Sequence, residues 1–239
     1  MNGRFEFVCW KWQPPRGYRS EFSCDTVNVL WSMIQRHYTG PARLTCVTDD
    51  PKGISSEVNI VPLWDTFAKL PSPHGGLNPS CYRRLPMYSE QAREWFGPRF
   101  ASVDLDICFV GNVNPVFDVP EDFRIWGDTA KGTPYNGSIQ LMNAGARKQV
   151  FEQFDPVESP KKGRELGYIG SDQAWIAACL GPNERKWTAA DGVYSFRNEI
   201  APRQGILPKD ARIVVFHGAI DPWHPTTRLR YRWVRENYR

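Results

Sequence analysis

Long apolar runs are what this chain most obviously lacks. No stretch of its 239 residues approaches the ~18 apolar residues that a membrane-spanning helix needs. The opening "MNGRFEFVCWKWQPP" has neither the apolar segment nor the small-residue cleavage site of a secretory signal, so a cytoplasmic location is expected. The six cysteines, Cys9, Cys24, Cys46, Cys81, Cys108 and Cys179, form no C-x-x-C pair. No histidine is spaced for zinc, and reduced core thiols are expected instead. Repeats, low-complexity tracts and a convincing linker are also missing, so one domain spanning 1–239 is the economical expectation. Neither sign of charge dominates: 30 Lys and Arg against 26 Asp and Glu give +4, which permits an anionic ligand without requiring nucleic acid.

Aromatic residues are plentiful, with 13 Phe, 10 Trp and 9 Tyr, which suit both a core and stacking sites. "RFEFVCWKW" (4–12) reads as the first strand, ended by Pro14, Pro15 and Gly17. Val27, Leu30, Trp31, Ile34 and Tyr38 follow at helical spacing, with Ser23 or Asp25 as cap and Gly40 as terminator. "RLTCVTDD" (43–50) and "EVNIVPL" (57–63) are further strands. The order predicts a right-handed βαβ unit in a mostly parallel sheet flanked by helices, an α/β fold. Residues 70–79 read as a loop, followed by a helical patch through "CYRRL" and "SEQAREWFG". "DFRIW", "GSIQLMN", "GVYSF" and "ARIVVFHG" read as strands, and "ARKQVFEQF" and "SDQAWIAACL" as helices, the latter capped by Ser171. The breaker-rich 156–170 reads as a mobile loop, and 226–239 as a basic, aromatic terminal helix or tail.

The segment "FASVDLDICFVGN" (100–112) poses the functional question. It is the most strand-like run in the chain, yet it carries Asp104 and Asp106 one residue apart. On a strand the two acids share a face, and like charges there raise a pKa unless a cation lies between them. Hard oxygen ligands suit Mg²⁺ or Mn²⁺, which take one or two carboxylates together with substrate phosphates. A strand end with two solvated acids satisfies the same pattern.

"VDLDICFVGNVNPVFD" resembles the D-x-D strand of nucleotide-sugar glycosyltransferases with the GT-A fold, particularly family 8. Further pieces fall in the family's order. "FVCWKW" resembles its opening donor-binding strand, with Lys11 and Trp12, and "CVTDD", with Asp49, its second strand near the base and ribose. "CYRRL" is similar to the helix carrying a base, Arg83 or Arg84, towards the diphosphate. "PYNGSIQLMNAG", with Asn136, resembles the acceptor-side strand, and "GSDQAWI", with Asp172 and Gln173, the catalytic helix start. "VVFHGAIDPW" resembles the closing segment, with Gly218 and Trp223 on the donor.

The resemblance implies a single GT-A-type domain with its D-x-D at a strand end. It implies that Asp104 and Asp106, with His217 as third ligand, hold Mn²⁺ or Mg²⁺, and that Asp104 also faces the donor. Asp172, Gln173 and Asn136 would serve the sugar and acceptor. The implied activity is transfer from a nucleotide-diphosphate sugar, a UDP-sugar foremost, to a hydroxyl acceptor with retention. One departure stands out: where the family commonly has Lys in "KPW", this chain has Asp221. A carboxylate there repels a diphosphate, which would need Arg83, Arg84 or Arg228 instead.

Two other classes fit parts of the sequence. D-x-D also marks phosphoryl-transfer enzymes, but those phosphatases carry it on the first strand, and no Gly-Ser pair of a nucleotidyltransferase precedes it here. The C-terminal "RLRYRWVRENYR" interleaves Arg228, Arg230, Arg232, Arg235 and Arg239 with Tyr231, Trp233 and Tyr238. Helical spacing sets Arg228, Arg232 and Arg235 on one side, with Leu229 and Trp233 packing inward. Such a stripe fits plain solvation, an anionic surface carrying a lipid-linked acceptor, or a DNA acceptor with a hydroxymethylated base. The expected acceptor is thus a saccharide, a lipid-linked saccharide or DNA.

Overall fold

The structure, a computed structural model, describes residues 3–13, 22–73, 80–127, 132–218 and 220–239. The strands are β1 (Phe5–Lys11), β2 (Ala42–Thr48), β3 (Asn59–Pro62), β4 (Arg99–Val103), β5 (Ile107–Phe109), β6 (Phe123–Trp126), β7 (Asn136–Asn143), β8 (Lys186–Trp187), β9 (Val193–Ser195) and β10 (Ile213–Val215). The α-helices are α1 (Cys24–His37), α2 (Ala92–Phe96), α3 (Asn114–Phe117), α4 (Gln149–Glu152), α5 (Glu158–Glu165), α6 (Asp172–Leu180), α7 (Pro225–Arg230) and α8 (Arg232–Asn237).

A seven-stranded sheet runs in the order β3-β2-β1-β4-β7-β6-β8. Its β3-β2-β1-β4 half is parallel, β7 is antiparallel to both neighbours, and β8 is parallel to β6. Both faces are covered, which explains why β1 is apolar almost throughout. Phe7 and Cys9 enter one core with α1, while Val8 and Trp10 enter the other with the 3₁₀ segment Cys81–Tyr88. A second sheet, β5-β10-β9, extends the first core. The mixed α/β architecture with helices on both faces is as the sequence predicts. Pro14, Pro15 and Gly17 lie outside the described residues, as do 74–79 of the expected 70–79 loop. All six cysteines are free thiols. Among the described residues no helix is long and apolar enough to cross a membrane.

The acidic segment departs from expectation. Residues 100–112 are not one strand: β4 ends at Val103 in the large sheet, and β5 begins at Ile107 in the small one. Asp104, Leu105 and Asp106 form the crossing between the sheets, so the period-2 argument for a shared face does not apply to them. The crossing is held from three directions. Asp104 N–H donates to Ser138 O at 2.8 Å, Phe216 N–H to Asp106 O at 2.9 Å, and Tyr238 O–H to Leu105 O at 3.3 Å.

Three other expectations are corrected. Residues 158–165, read as part of a mobile loop, form α5. Asp155 Oδ1 accepts from Val157 and Glu158 N–H, which starts the helix and holds that carboxyl below its ordinary range. Pro160 falls in the first turn, where no backbone donor is needed, and Gly163 lets α5 close on α6: a Cβ there would lie 3.3 Å from Ala174 Cβ. "ARKQVFEQF" is helical only over α4. The C-terminal helix is broken at Tyr231, whose backbone is extended. Leu229 is therefore 80% exposed instead of packing inward, while Tyr231, Val234 and Tyr238 are buried. Ser23 and Ser171 sit at their helix caps without side-chain capping bonds.

Candidate active site

The acidic crossing lies beyond the carboxyl end of β4, on the edge of the sheet where its parallel neighbour β1 and the next strand, β2, also end. That edge of an open α/β sheet is where ligands bind, because loops there diverge to leave a crevice. The side chains fall into two groups on either side of the crossing.

Arg84 organises the first group. It is buried in the 3₁₀ segment Cys81–Tyr88, started by Ser80 Oγ accepting from Tyr82 N–H. Its Nη1 donates to Asp104 Oδ1 at 2.5 Å, and its Nε and Nη2 donate to Asp172 Oδ2 at 3.0 and 2.6 Å. Burial disfavours the guanidinium charge, but Asp172 and Asp104 outweigh it and hold the Arg84 pKa well above its ordinary value. Gly137 of β7 makes room for this arrangement. A Cβ there would lie 2.9 Å from Arg84 Nη2 and 3.2 Å from Asp172 Oδ2. Tyr88 O–H donates to Gln140 Oε1, and Gln140 Nε2 donates to Gly137 O, fixing that backbone from behind. Asn136 Oδ1 accepts from Ser138 N–H, and Gln173 Nε2 donates to Ile169 O on the rim.

Asp106 defines the second group. Its Oδ1 is buried with no hydrogen-bond partner. Burial first, then the neighbouring charges of Asp104 and Asp221, push its pKa well above the usual carboxylate range. Nearby, His217 Nε2 is 2.7 Å from Ser195 Oγ, and its ring meets Trp126 edge-on with centroids 5.5 Å apart. Gly218 follows at φ +106°, a conformation that side-chain-bearing residues rarely adopt. A cavity of about 310 Å³ opens beside these residues, lined by Trp126, Gly127, Lys186, Thr188 and Glu199 among others.

The structure thus brings Arg84, Asp104 and Asp172 together beside Gly137, with Asn136 the preceding residue of β7, and sets Asp106 beside Asp104 and Asp221. It does not gather Asp104, Asp106 and His217 into one donor set: among the described residues, no three His, Cys, Asp or Glu side chains are placed to hold a metal ion. The reason is visible in their partners, since Asp104 faces Arg84 and His217 faces Ser195. The orphaned oxygen of Asp106, in contrast, fits a hard cation, which is what a buried carboxylate among other carboxylates requires.

The remaining residues stand apart. Lys11 Nζ donates to Asp50 O at 2.7 Å, Asp49 Oδ2 accepts from Gln13 N–H, and Trp12 is half-buried against the second core. Arg83 Nη2 donates to Trp64 O while its Nε is buried without a partner. Trp223 packs against Phe22 and Tyr238. Reading the sequence missed Ser195, Gly137 and Tyr238. For Ser195 a signal existed: a Ser three residues before Asn198 and four before Glu199 has the pattern of a helix cap, and Asn198 N–H does donate to its Oγ.

No family model matches the chain, and no curated protein does. Solved structures do. The galactosyltransferase LgtC, in complex with donor and acceptor sugar analogs, superposes with a TM-score of 0.59 at 12% identity, over 97% of this chain and 94% of that one. GlyE, a glycosyltransferase of Streptococcus pneumoniae, gives 0.61 at 12% identity over 97% of this chain and 60% of its own. Mouse xyloside xylosyltransferase 1 gives 0.54 at 10% over 90% and 98%. The crossing, its crevice and the flanking sheet therefore belong to a GT-A glycosyltransferase fold.

Proposed function

We propose that this chain is a metal-dependent glycosyltransferase that moves a sugar from a nucleotide-diphosphate sugar, a UDP-sugar foremost, to a hydroxyl acceptor with retention. The observation that carries the proposal is the buried, unpartnered Oδ1 of Asp106 at the crevice of a glycosyltransferase fold. Asp104 and Asp106 would hold Mn²⁺ or Mg²⁺, with His217 as third ligand. Bound there, the ion supplies positive charge against which a diphosphate can leave.

The chain's own residues do the orienting. Arg84 fixes Asp104 on one side and Asp172 on the other, so the cation-facing and sugar-facing carboxylates are set by one guanidinium. Asp172, Asn136 and Gln173 would meet the sugar and acceptor hydroxyls, and the cavity beside His217 would take the acceptor. Lys11, Trp12 and Asp49, at the ends of β1 and β2, would line the nucleotide, with Gly218 and Trp223 closing the donor side. Asp221 would repel a diphosphate, and it adds negative charge next to Asp106. Arg83 and Arg84 are already committed to Trp64 O and to the two carboxylates. Arg228 is half-buried and near Tyr238; its backbone N–H donates to His224 O, its side chain makes no hydrogen bond or ion pair among the described residues, and it is the base we assign to the donor phosphates.

Among acceptors we favour a saccharide. Leu229 and the outward arginines Arg230, Arg232, Arg235 and Arg239 leave a basic, partly apolar face for an acceptor on an anionic carrier. A panel of nucleotide sugars, with and without Mn²⁺, tests the proposal by thermal shift and by donor hydrolysis. A UDP-sugar should stabilise the chain only with the ion, and Asp104→Asn or Asp106→Asn should remove both effects. Asp172→Asn should lower kcat more than it raises the donor KM. Absence of any nucleotide-sugar effect with Mn²⁺ present would sink the reading.

A further inference from the structure

We infer that the cavity beside Trp126 receives a carboxylate-bearing sugar, a uronic acid unit of the acceptor, with Lys186 as its counter-ion and Glu199 accepting from its hydroxyls. The inference rests on the reading of this cavity as the acceptor's place and goes beyond it by fixing the acceptor's class.

The cavity lies between the two sheets. Trp126 and Gly127 come from the end of β6 and Lys186 from the edge strand β8, while Glu199 comes from the π-helical turn Phe196–Ile200 that follows β9. Such turns are rare and are frequent at functional sites. At about 310 Å³ the space is at the small end of ligand pockets, which run from ~300 to ~1,000 Å³, and it suits one sugar residue.

The bonds that fix its walls leave two charged groups over. Thr188 N–H donates to Asp191 Oδ2 at 2.9 Å, and Arg124 Nη2 donates to Asp191 Oδ1 at 2.6 Å, so the Asp191 carboxylate is already engaged. Arg124 also donates to Lys186 O, which anchors the two-residue strand β8. The Lys186 stem lies across Gly127, where a Cβ would stand 3.1 Å from Lys186 Cδ. Its Nζ is 5.9 Å from the centre of the Tyr135 ring, and Tyr135 is itself pinned by Gly181 O and Glu184 N–H. The half-buried ammonium makes no hydrogen bond or ion pair among the described residues. Glu199 Oε2 accepts from Ser195 N–H at 2.7 Å, which leaves Oε1 for another donor.

An ammonium has three donors and needs an anion once it is partly withdrawn from water. A neutral sugar would give hydroxyls to Glu199 and leave Lys186 uncompensated. A uronic acid gives its single carboxylate to Lys186 and its hydroxyls to Glu199. A phosphate group, carrying nearly two charges, exceeds what one lysine balances and is repelled by Glu199.

The test has a binding arm and a transfer arm. In the first, the full chain is titrated with D-glucuronate, D-glucose and inorganic phosphate, with neither donor nor metal, by ligand-observed NMR. Wild type should bind glucuronate at least 10-fold more tightly than glucose, and more tightly than phosphate. Lys186→Met should weaken glucuronate binding about 10- to 100-fold, the range for a hydrogen bond to a charged group. Gly127→Ala keeps the charge but displaces the lysine stem, and should weaken it too. Lys161→Met removes an exposed charge on α5 and should leave it unchanged. In the second arm, kcat/KM for an oligosaccharide ending in a uronic acid, relative to a neutral one, should fall in Lys186→Met, and through KM. Equal binding of glucuronate and glucose by wild type, tighter binding of phosphate, or a preference that survives in folded Lys186→Met overturns the inference. The wild-type comparison decides even if no variant folds. The binding arm needs no donor, so the two readings can fail separately. A nucleotide-sugar effect without glucuronate preference leaves the transferase reading alone, and the reverse result leaves the subsite alone.

Discussion

The two sides of the acidic crossing are built from the same residue type and end in opposite states. On the Arg84 side, two carboxylates share one buried guanidinium, with three N–H groups donating to them. On the Asp106 side, a carboxylate faces two others across a distance short enough to shift its pKa, and one of its oxygens has no partner. The first side is electrostatically complete within the chain. The second is short of positive charge. Burying charge is tolerable only when it is compensated, so the contrast identifies which side a ligand must finish.

Breaking the complete side should have the largest effect. Arg84→Met leaves Asp172 buried and Asp104 facing it without a cation, and should cost about 3 kcal/mol, the usual result of removing one member of a buried pair. Urea denaturation checks this; a loss below about 1 kcal/mol would mean that the side is not held by its ion pairs. Gly137→Ala should come next, at about 1–3 kcal/mol, because the new methyl must displace Arg84 or the β7 backbone. It should also lower kcat if Asp172 is placed as proposed.

Asp106 offers the opposite sign. Its folded-state pKa is raised, so its contribution is favourable below the unfolded value of about 3.8 and is lost as pH rises through the folded value. Without divalent ions, wild type should therefore lose stability relative to Asp106→Asn as pH rises from acid to neutral. Added Mn²⁺ should cancel the difference. Parallel pH–stability curves for the two proteins would remove the claim that this side lacks a cation.

The smallest effect sharpens the contrast from outside. Leu229→Ser with Arg230→Ser should change the melting free energy by no more than about 0.5 kcal/mol, since both side chains face solvent. A larger loss would mean that the C-terminal face is packed after all.

Much of the scaffold is legible in local pattern. The alternation in "RFEFVCWKW", the helical spacing from Val27 to Tyr38 and the strands that follow are short-range signals, and they lie where β1, α1, β2 and β3 form. The same local logic fails where a long-range contact overrides it. Pro160 and Gly163 read as breakers, yet Asp155 caps α5 and Gly163 admits α6. Leu229 reads as inward only if the helix continues through Tyr231, and packing of Tyr231 against Phe196 goes with its interruption.

By itself the sequence determined the α/β order of elements and the presence of two acids in an apolar run. Each is a property of neighbouring residues, for which spacing and side-chain chemistry suffice. Only the tertiary structure decided that those acids cross between two sheets, that Arg84 binds Asp172 across 88 positions, and that His217 faces Ser195. Those outcomes depend on which distant side chain reaches a buried charge or lone pair first. That competition is settled by the packing of the whole chain and leaves no local signature.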